Sequence, residues 1–340
     1  MSVLSAVADL PPVAAGTALP VVWALHDGKA GMRSQALGLA EATGFRLVEK
    51  PLAVGLPWTL LPPQLWPVSR RTVGGGETQL AAPWPDLVVG CGRNTVVPAL
   101  AIGRAAGGGT VLAQVQDPRR GRDAFDLIVV PAHDRLRGSR VLATLGAVHR
   151  VTAARLAAER ARFPGLETLP RPVLTVLLGG SNRAYRLTRR RLGEIAEIVA
   201  CHLRETGGAA LVTPSRRTTA AGLALFGERL AGLPAKVWDG VGDNPYFAFL
   251  AVADAFLVTA DSVSMISEAA ATGKPVHILA LDGGNAKFAR FHRQMQQAGI
   301  TRPFAGRIEN WSYAVPDDTA RAAAVLRQLV LSRIGRRASL

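Results

Sequence analysis

Cysteine is nearly absent from this chain of 340 residues. Cys91 and Cys201 are the two present, and they fall in separate halves of the sequence. A disulfide framework or a cysteine zinc site needs more thiols than that, and a reducing compartment fits the composition. No apolar run approaches the roughly 18 residues of a membrane-spanning helix. Residues 1–20 are small and apolar but have no basic segment ahead of the apolar stretch, so they read as a flexible leader and not as a signal peptide. Metal and nucleophile motifs are missing too. There is no HxxxH, DxD or HExxH pairing and no Gly-x-Ser-x-Gly elbow, and His133-Asp134 has no serine in a matching context. No metal and no cofactor is expected. The GxGxxG fingerprint with a downstream acid is absent as well, which argues against an NAD-dependent enzyme.

Acidic residues are scarce relative to basic ones. Forty Lys+Arg stand against 25 Asp+Glu, a formal net charge of +15, and arginine greatly outnumbers lysine. Such a surface attracts polyanions, although a coding bias toward Ala, Gly and Arg yields the same balance without any partner. Helix-turn-helix and zinc-finger signatures and interleaved aromatic and basic residues are missing, so nucleic acid is not an expected partner. An anionic membrane surface is one, with the basic tail at 333–337 as a contact. The expected location is cytoplasmic, peripheral on the inner membrane.

What is present is a folding chain: 49% of residues are hydrophobic and 19% charged. Short apolar runs alternate with amphipathic stretches, the pattern of parallel strands joined by helices. Strands are expected at 21–25, 86–90, 110–114 and 127–130, with helices at 33–43 and 97–106 and an irregular connection over 51–85. Residues 153–162 read as a helix. The three prolines and a glycine of 163–172 read as a linker. Alternation then restarts. Strands are expected at 173–178, 209–213, 236–238, 255–259 and 276–279, and helices at 189–204, 245–253 and 262–272. A final helix at 319–334 is placed to cross back to the first lobe. The expected fold is α/β, with two Rossmann-like lobes (21–162 and 173–318) facing each other across a cleft, followed by a C-terminal helix and basic tail at 319–340.

Ligands of open parallel sheets bind where strands pass into helices at their carboxyl ends, so those loops hold the candidate residues. In the second lobe, Gly179, Gly180, Ser181, Asn182 and Arg183 combine a flexible backbone with a hydroxyl and a guanidinium, though Gly-Gly-Ser is as often only a tight turn. Thr259, Asp261, Ser262, Ser264, Met265 and Glu268 surround an expected helix N-terminus capped by Asp261 or Ser262. Free N–H groups there face an anion such as a diphosphate, and Glu268, about two turns in, is placed to accept both hydroxyls of a ribose. Thr213, Ser215, Arg216 and Arg217, the polar turn at 239–245, and Asn285 with Lys287 complete the set. In the first lobe, His26 or Asp27 can serve as a general base, with Gly28, Lys29, Arg93, Asn94 and Asp117 beside it. The structural alternative is that Asp27 caps the next turn and His26 merely packs.

Taken together, these loops resemble the Elm-type family, named for a plant mitochondrial-fission factor, whose bacterial members are described as glycosyltransferases. The resemblance spans 21–304. It rests on His26-Asp-Gly-Lys-Ala-Gly31 with Gln35, Gly90-Cys-Gly-Arg93, Gln116-Asp-Pro118, Gly179-Gly-Ser-Asn182, Thr213-Pro-Ser-Arg-Arg217, and Thr259-Ala-Asp-Ser262 with Glu268. Gly-Gly-Ser and the Ser262–Glu268 helix are also similar, more distantly, to the donor lobe of GT-B transferases such as the peptidoglycan N-acetylglucosaminyltransferase and the lipid A disaccharide synthase. That resemblance implies a nucleotide-sugar as substrate on the C-terminal lobe and a lipid-linked or envelope glycan acceptor on the N-terminal lobe. The first loop here lacks the polyglycine of those enzymes. The expected function is a metal-independent GT-B-like glycosyltransferase acting on a cell-envelope lipid or lipopolysaccharide. The competing readings are a non-catalytic scaffold that binds membrane or protein partners through its basic face, and a sugar-nucleotide epimerase.

Overall fold

The computed structural model describes residues 19–62, 65–69, 73–74 and 80–338. Most of the expected leader, part of the 51–85 connection and the last two residues of the tail lie outside the described residues. The chain divides into two compact units, Met1–Arg150 with Asp317–Leu340, and Val151–Pro316.

In chain order the first unit contains β1 (Val21–His26), α1 (Ala30–Ala42), β2 (Arg46–Pro51), β3 (Ala53–Val54), β4 (Val73–Gly74), β5 (Leu87–Cys91), α2 (Val96–Ala105), β6 (Val111–Val115), β7 (Leu127–Pro131) and β8 (Val141–Thr144). Six of these strands form a parallel sheet in the order β2-β1-β5-β6-β7-β8. The second unit contains α3 (Ala153–Arg162), β9 (Val173–Leu178), β10 (Tyr185–Arg186), α4 (Arg189–Thr206), β11 (Ala209–Pro214), α5 (Ala220–Arg229), β12 (Ala235–Val237), α6 (Tyr246–Val252), β13 (Ala255–Thr259), α7 (Val263–Ala270), β14 (Val276–Leu279), β15 (Asp282–Gly283), α8 (Ala286–Gln297) and β16 (Thr301–Pro303). Its parallel sheet runs β12-β11-β9-β13-β14-β16. The last helix, α9 (Asp318–Ala338), belongs to the first unit.

The central strands are almost wholly apolar because both faces of each sheet are covered; Gln114, Thr175 and Thr259 are the buried polar exceptions. β5, β6, β7, β9 and β13 are buried throughout. Alternate side chains feed opposite faces. Val22 and Ala24 join α1 and α9 through Leu37, Val325 and Leu326, while Trp23 and Leu25 join α2 through Ala99 and Ile102. In the second unit Leu174, Val176 and Leu178 pack on Leu192, Ile195, Val199 and Leu203 of α4, and Val173 packs with Phe249 and Val252 of α6. α4 is bounded as its residues dictate: the Thr188 side chain accepts from the Arg191 N–H, and Gly207 closes the helix at φ 66°.

Several expectations need correction. α1 begins at Ala30, three residues before the expected start, because Gly31, a poor helix former that reads as a turn, sits inside its first turn. β2 and β8 lie at the sheet edges with mixed exposure, so no continuous apolar run announced them. Residues 163–172 are not a free linker. Pro164–Leu166 forms a 3-10 turn, and Leu166 is buried with Phe163 and Leu169 against β9 and α6. α3 also lies against α6, so the boundary falls between Arg150 and Val151. The 333–337 tail is the end of α9 and not a loose basic arm. Arg333 bonds to Asp126 at 2.6 Å and to the Thr110 carbonyl at 2.8 Å, and Arg337 lies 3.8 Å from Asp86.

Candidate functional site

Each sheet has one place where the direction of strand addition reverses. In the second unit the chain builds outward from β9 through β11 to β12, then returns to the other side of β9 as β13. The loops leaving β9 and β13 meet at the carboxyl ends there, the position at which open α/β sheets bind ligands. They are the Gly179–Arg183 and Ala260–Ser262 segments.

One buried carboxylate ties these loops together. The Asp261 side chain has 0% exposure. It accepts from the Gly180 N–H at 3.0 Å, from the Thr259 hydroxyl at 2.7 Å and from the Arg217 guanidinium at 2.8 Å. The Gly179 N–H donates to Thr259 Oγ1 at 2.8 Å, and Arg217 also donates to the Gly180 carbonyl at 2.8 Å. Ser215 Oγ donates to the Gly179 carbonyl at 2.8 Å. The two glycines are needed for this. A Cβ on Gly179 would stand 2.2 Å from the Asp261 carboxylate, and one on Gly180 would stand 2.4 Å from the Arg217 carbonyl oxygen.

Asp261 therefore does not cap α7, contrary to expectation, and neither does Ser262. Ser262 occupies the N-cap position at φ −118°, ψ 89° with no side-chain cap bond. The first turn of α7 thus has no side-chain cap from either residue. Ser264 and Met265 are half-buried in its first turn. Further in, Glu268 is 6% exposed and accepts a 2.6 Å hydrogen bond from the Tyr246 phenol. Burial, then the charge of Glu268, push the Tyr246 phenol well above its ordinary range, so it stays a donor.

The other expected residues divide by role. Arg183 and Arg216 are exposed. Ser181 Oγ accepts from the Leu187 N–H, and Asn182 Oδ1 accepts from Ala184 and Tyr185, so both shape the loop. Thr213 is buried inside β11. Asn285 is a helix cap, accepting from the Phe288 N–H at 3.1 Å, and Lys287 is exposed in the first turn of α8. The antiparallel β10–β15 pair and the 2.7 Å bond from Gly284 N to the Ala184 carbonyl bring that loop onto the 179–187 segment. Sequence reasoning missed Tyr246 and His292. His292 donates to the Ala260 carbonyl at 2.9 Å, and its imidazole is held below its ordinary pKa by burial, which outweighs that bond. Tyr246 follows Asn244-Pro245 at a helix start, the one signal available for it.

In the first unit the reversal lies between β1 and β5, and the loops leaving them carry the other candidates. His26 is 2% exposed and has no free nitrogen. Its Nδ1 accepts from the Gly28 N–H at 3.1 Å, so Nε2 carries the proton and donates to Glu49 at 2.8 Å. Both ring nitrogens are thus engaged within the first unit. Asp27 bonds to the Lys29 ammonium and accepts from the Asn94 amide at 3.1 Å, which links the two loops across the reversal. Arg93 is exposed. Asp117 receives Arg122 at 2.9 and 2.7 Å and the Arg119 N–H at 2.9 Å. Burial alone would raise its carboxyl, but these partners hold it below the usual range. Among the described residues no group of three His, Cys, Asp or Glu is placed to hold a metal ion, and no helix is long and apolar enough to cross a membrane.

The fold is similar to solved structures of sugar-nucleotide enzymes. UDP-GlcNAc 2-epimerase from Methanocaldococcus jannaschii matches with a TM-score of 0.54 at 13% identity, over 92% of this chain and 99% of that one. A Listeria monocytogenes protein described as a UDP-N-acetylglucosamine 2-epimerase matches at 0.50 and 14% identity, over 94% and 97%. At such identities the likeness shows the fold alone, a GT-B-like α/β architecture with two parallel six-stranded sheets. In sequence, the chain is 33% identical over 285 residues to the mitochondrial fission protein ELM1 of Arabidopsis thaliana, covering 73% of this chain but 65% of that protein, less than two thirds of its length. It is 24% identical over 357 residues to an uncharacterized protein of Rickettsia prowazekii, covering 90% and 97%. The model of the family described as mitochondrial fission ELM1 matches residues 30–330, and the chain belongs to that family.

Proposed function

We propose that this chain is a nucleotide-sugar-dependent glycosyltransferase that works without a metal ion. The observation that carries this reading is the convergence in the second unit of an uncapped helix N-terminus, a glycine loop tied to Asp261 and Arg217, and the buried Glu268. The α7 terminus and the exposed Arg183 and Arg216 neutralise the diphosphate, and Glu268, oriented by Tyr246, accepts from the ribose hydroxyls. The acceptor, a lipid-linked or envelope glycan, binds to the first unit. In an inverting transfer its hydroxyl oxygen attacks the anomeric carbon as the bond to the diphosphate breaks, and Asp27 takes the hydroxyl proton. His26 is left out of this role because both ring nitrogens are engaged.

Calorimetric titration with UDP-, GDP-, ADP- and CMP-sugars tests the reading. One of them binds, and Glu268→Ala abolishes the heat. Folded protein that takes up none of the four would overturn it. A second reading, a non-catalytic scaffold, is favoured by the family's fission name and by the engagement of Asp27 with Lys29 and Asn94. Asp27→Asn separates the two, since it stops transfer while leaving nucleotide-sugar binding intact in the enzyme and has no effect on a scaffold. An epimerase, as the Methanocaldococcus protein is described, would release its product with no acceptor present.

A further inference from the structure

Exposed apolar side chains cluster in one short stretch. Among the described residues, seven large hydrophobic side chains are strongly exposed, and four of them are Leu56 (77%), Leu60 (78%), Leu61 (40%) and Leu65 (66%). Scattered single leucines need no explanation, but four within one loop do. The backbone around them is held. Trp66 is 2% exposed and its indole donates to the Leu61 carbonyl at 3.0 Å, Trp58–Leu60 forms a 3-10 turn, and Leu52 and Leu80 on either side are buried.

The charge around this loop is one-sided. Between residues 51 and 85 the sequence holds a single acid, Glu77. The neighbouring 117–122 loop docks against it through Arg120, which donates to the Trp66 carbonyl at 2.6 Å, and carries an exposed Arg119 beside it. An apolar projection flanked by cations, with Asp117 of the neighbouring loop already paired to Arg122, matches the boundary between acyl chains and anionic head groups.

We propose that Leu56, Leu60, Leu61 and Leu65 insert into an anionic lipid bilayer while Arg119 faces the lipid phosphates. The contact replaces the one expected of the C-terminal arginines, two of which face acids of their own unit. The loop leaves the carboxyl end of β2, where the Leu52 N–H donates to the His26 carbonyl at 2.8 Å. A bilayer bound there meets the same sheet end that carries Asp27. The inference does not depend on sugar transfer.

Flotation with vesicles of phosphatidylcholine alone, and of phosphatidylcholine with one-third phosphatidylglycerol, tests it in the full-length protein without nucleotide. The wild type floats with the anionic vesicles. A combined L56S, L60S and L65S variant partitions about a thousandfold less, since each buried leucine contributes on the order of tenfold. R119Q loses about fivefold, on anionic vesicles only. V241S, at an exposed valine in the other unit, serves as the control and floats like wild type. These substitutions fall at exposed positions, and circular dichroism and thermal melting check that the fold is kept. No flotation of the wild type, or a folded triple leucine variant that floats as well as wild type, overturns the proposal.

Discussion

Asp261→Asn is the sharpest perturbation of the second unit. The carboxylate takes four roles at once: it meets Gly180 N–H and Arg217 at Oδ2, meets Thr259 at Oδ1, and balances the guanidinium charge. An amide cannot take all four. If its oxygen faces Gly180 and Arg217, its NH2 meets Thr259 Oγ1, and the hydroxyl proton loses its acceptor. If it is flipped, the NH2 faces two donors. In either case Arg217 loses its counter-charge. Breaking a fully buried pair costs roughly 3–5 kcal/mol, but the Arg217 side chain is 39% exposed and water screens it. About 2 kcal/mol remains, or roughly thirtyfold in a local opening equilibrium. Amide hydrogen exchange at Gly179 and Gly180 reads that opening directly. Exchange should accelerate by about that factor in the variant at constant pH. Arg217→Ala in the Asp261→Asn background should then add little, because the two residues act as one unit. Exchange within twofold of wild type, or fully additive effects, would refute the role assigned to Asp261.

Three further outcomes are expected. Tyr246→Phe removes the phenol that orients Glu268, and calorimetry should show nucleotide-sugar affinity falling about tenfold, in line with the ~1.5–3 kcal/mol of a hydrogen bond to a charged group. His26→Gln should lower the melting temperature but slow transfer far less than Asp27→Asn, which should slow it at least ~100-fold as loss of a general base. Equal losses in a sugar-transfer assay would restore His26 as a candidate base. Glu49 is held below its ordinary pKa first by the hydrogen bond from Arg33, against the opposing effect of burial, with a further bond from His26. Its contribution to stability is therefore full above the unfolded carboxylate value of about 4.3 and is lost as pH falls through the lower folded value. Acid-induced unfolding followed by circular dichroism should be less steep below that pH in Glu49→Gln.

Both sheets were legible where strands are buried on both faces, since a run such as Val-Leu-Thr-Val-Leu-Leu in β9 has no polar side to confuse it. Edge strands were not. β2 reads Arg-Leu-Val-Glu-Lys-Pro and β16 contains Pro303, and both resemble loops until their pairing is seen. In the site, the loops at the strand ends could be named because topology alone puts ligands there. Roles within them could not. Whether Asp261 caps a helix or ties down Gly180 depends on a contact between positions 81 residues apart in sequence, and the pairing of Arg333 with Asp126 spans 207. His26 and Asp27 are adjacent, and only the structure reveals their different partners, Gly28 N–H and Glu49 for His26, Lys29 and Asn94 for Asp27.

The return of α9 to the first unit has a consequence for how the protein is made. Ala322, Val325, Leu326 and Val330 belong to the same apolar cluster as β1 and α1, so that core lacks one wall until the ribosome has passed residue 330. Residues 151–316 form a contiguous segment with their own core and emerge earlier. During synthesis the second unit can close first while the opening residues of the first wait, the reverse of the usual N-terminal-first order. A released fragment ending at residue 316 should therefore protect the Asp261 loop from protease while leaving α1 open to cleavage.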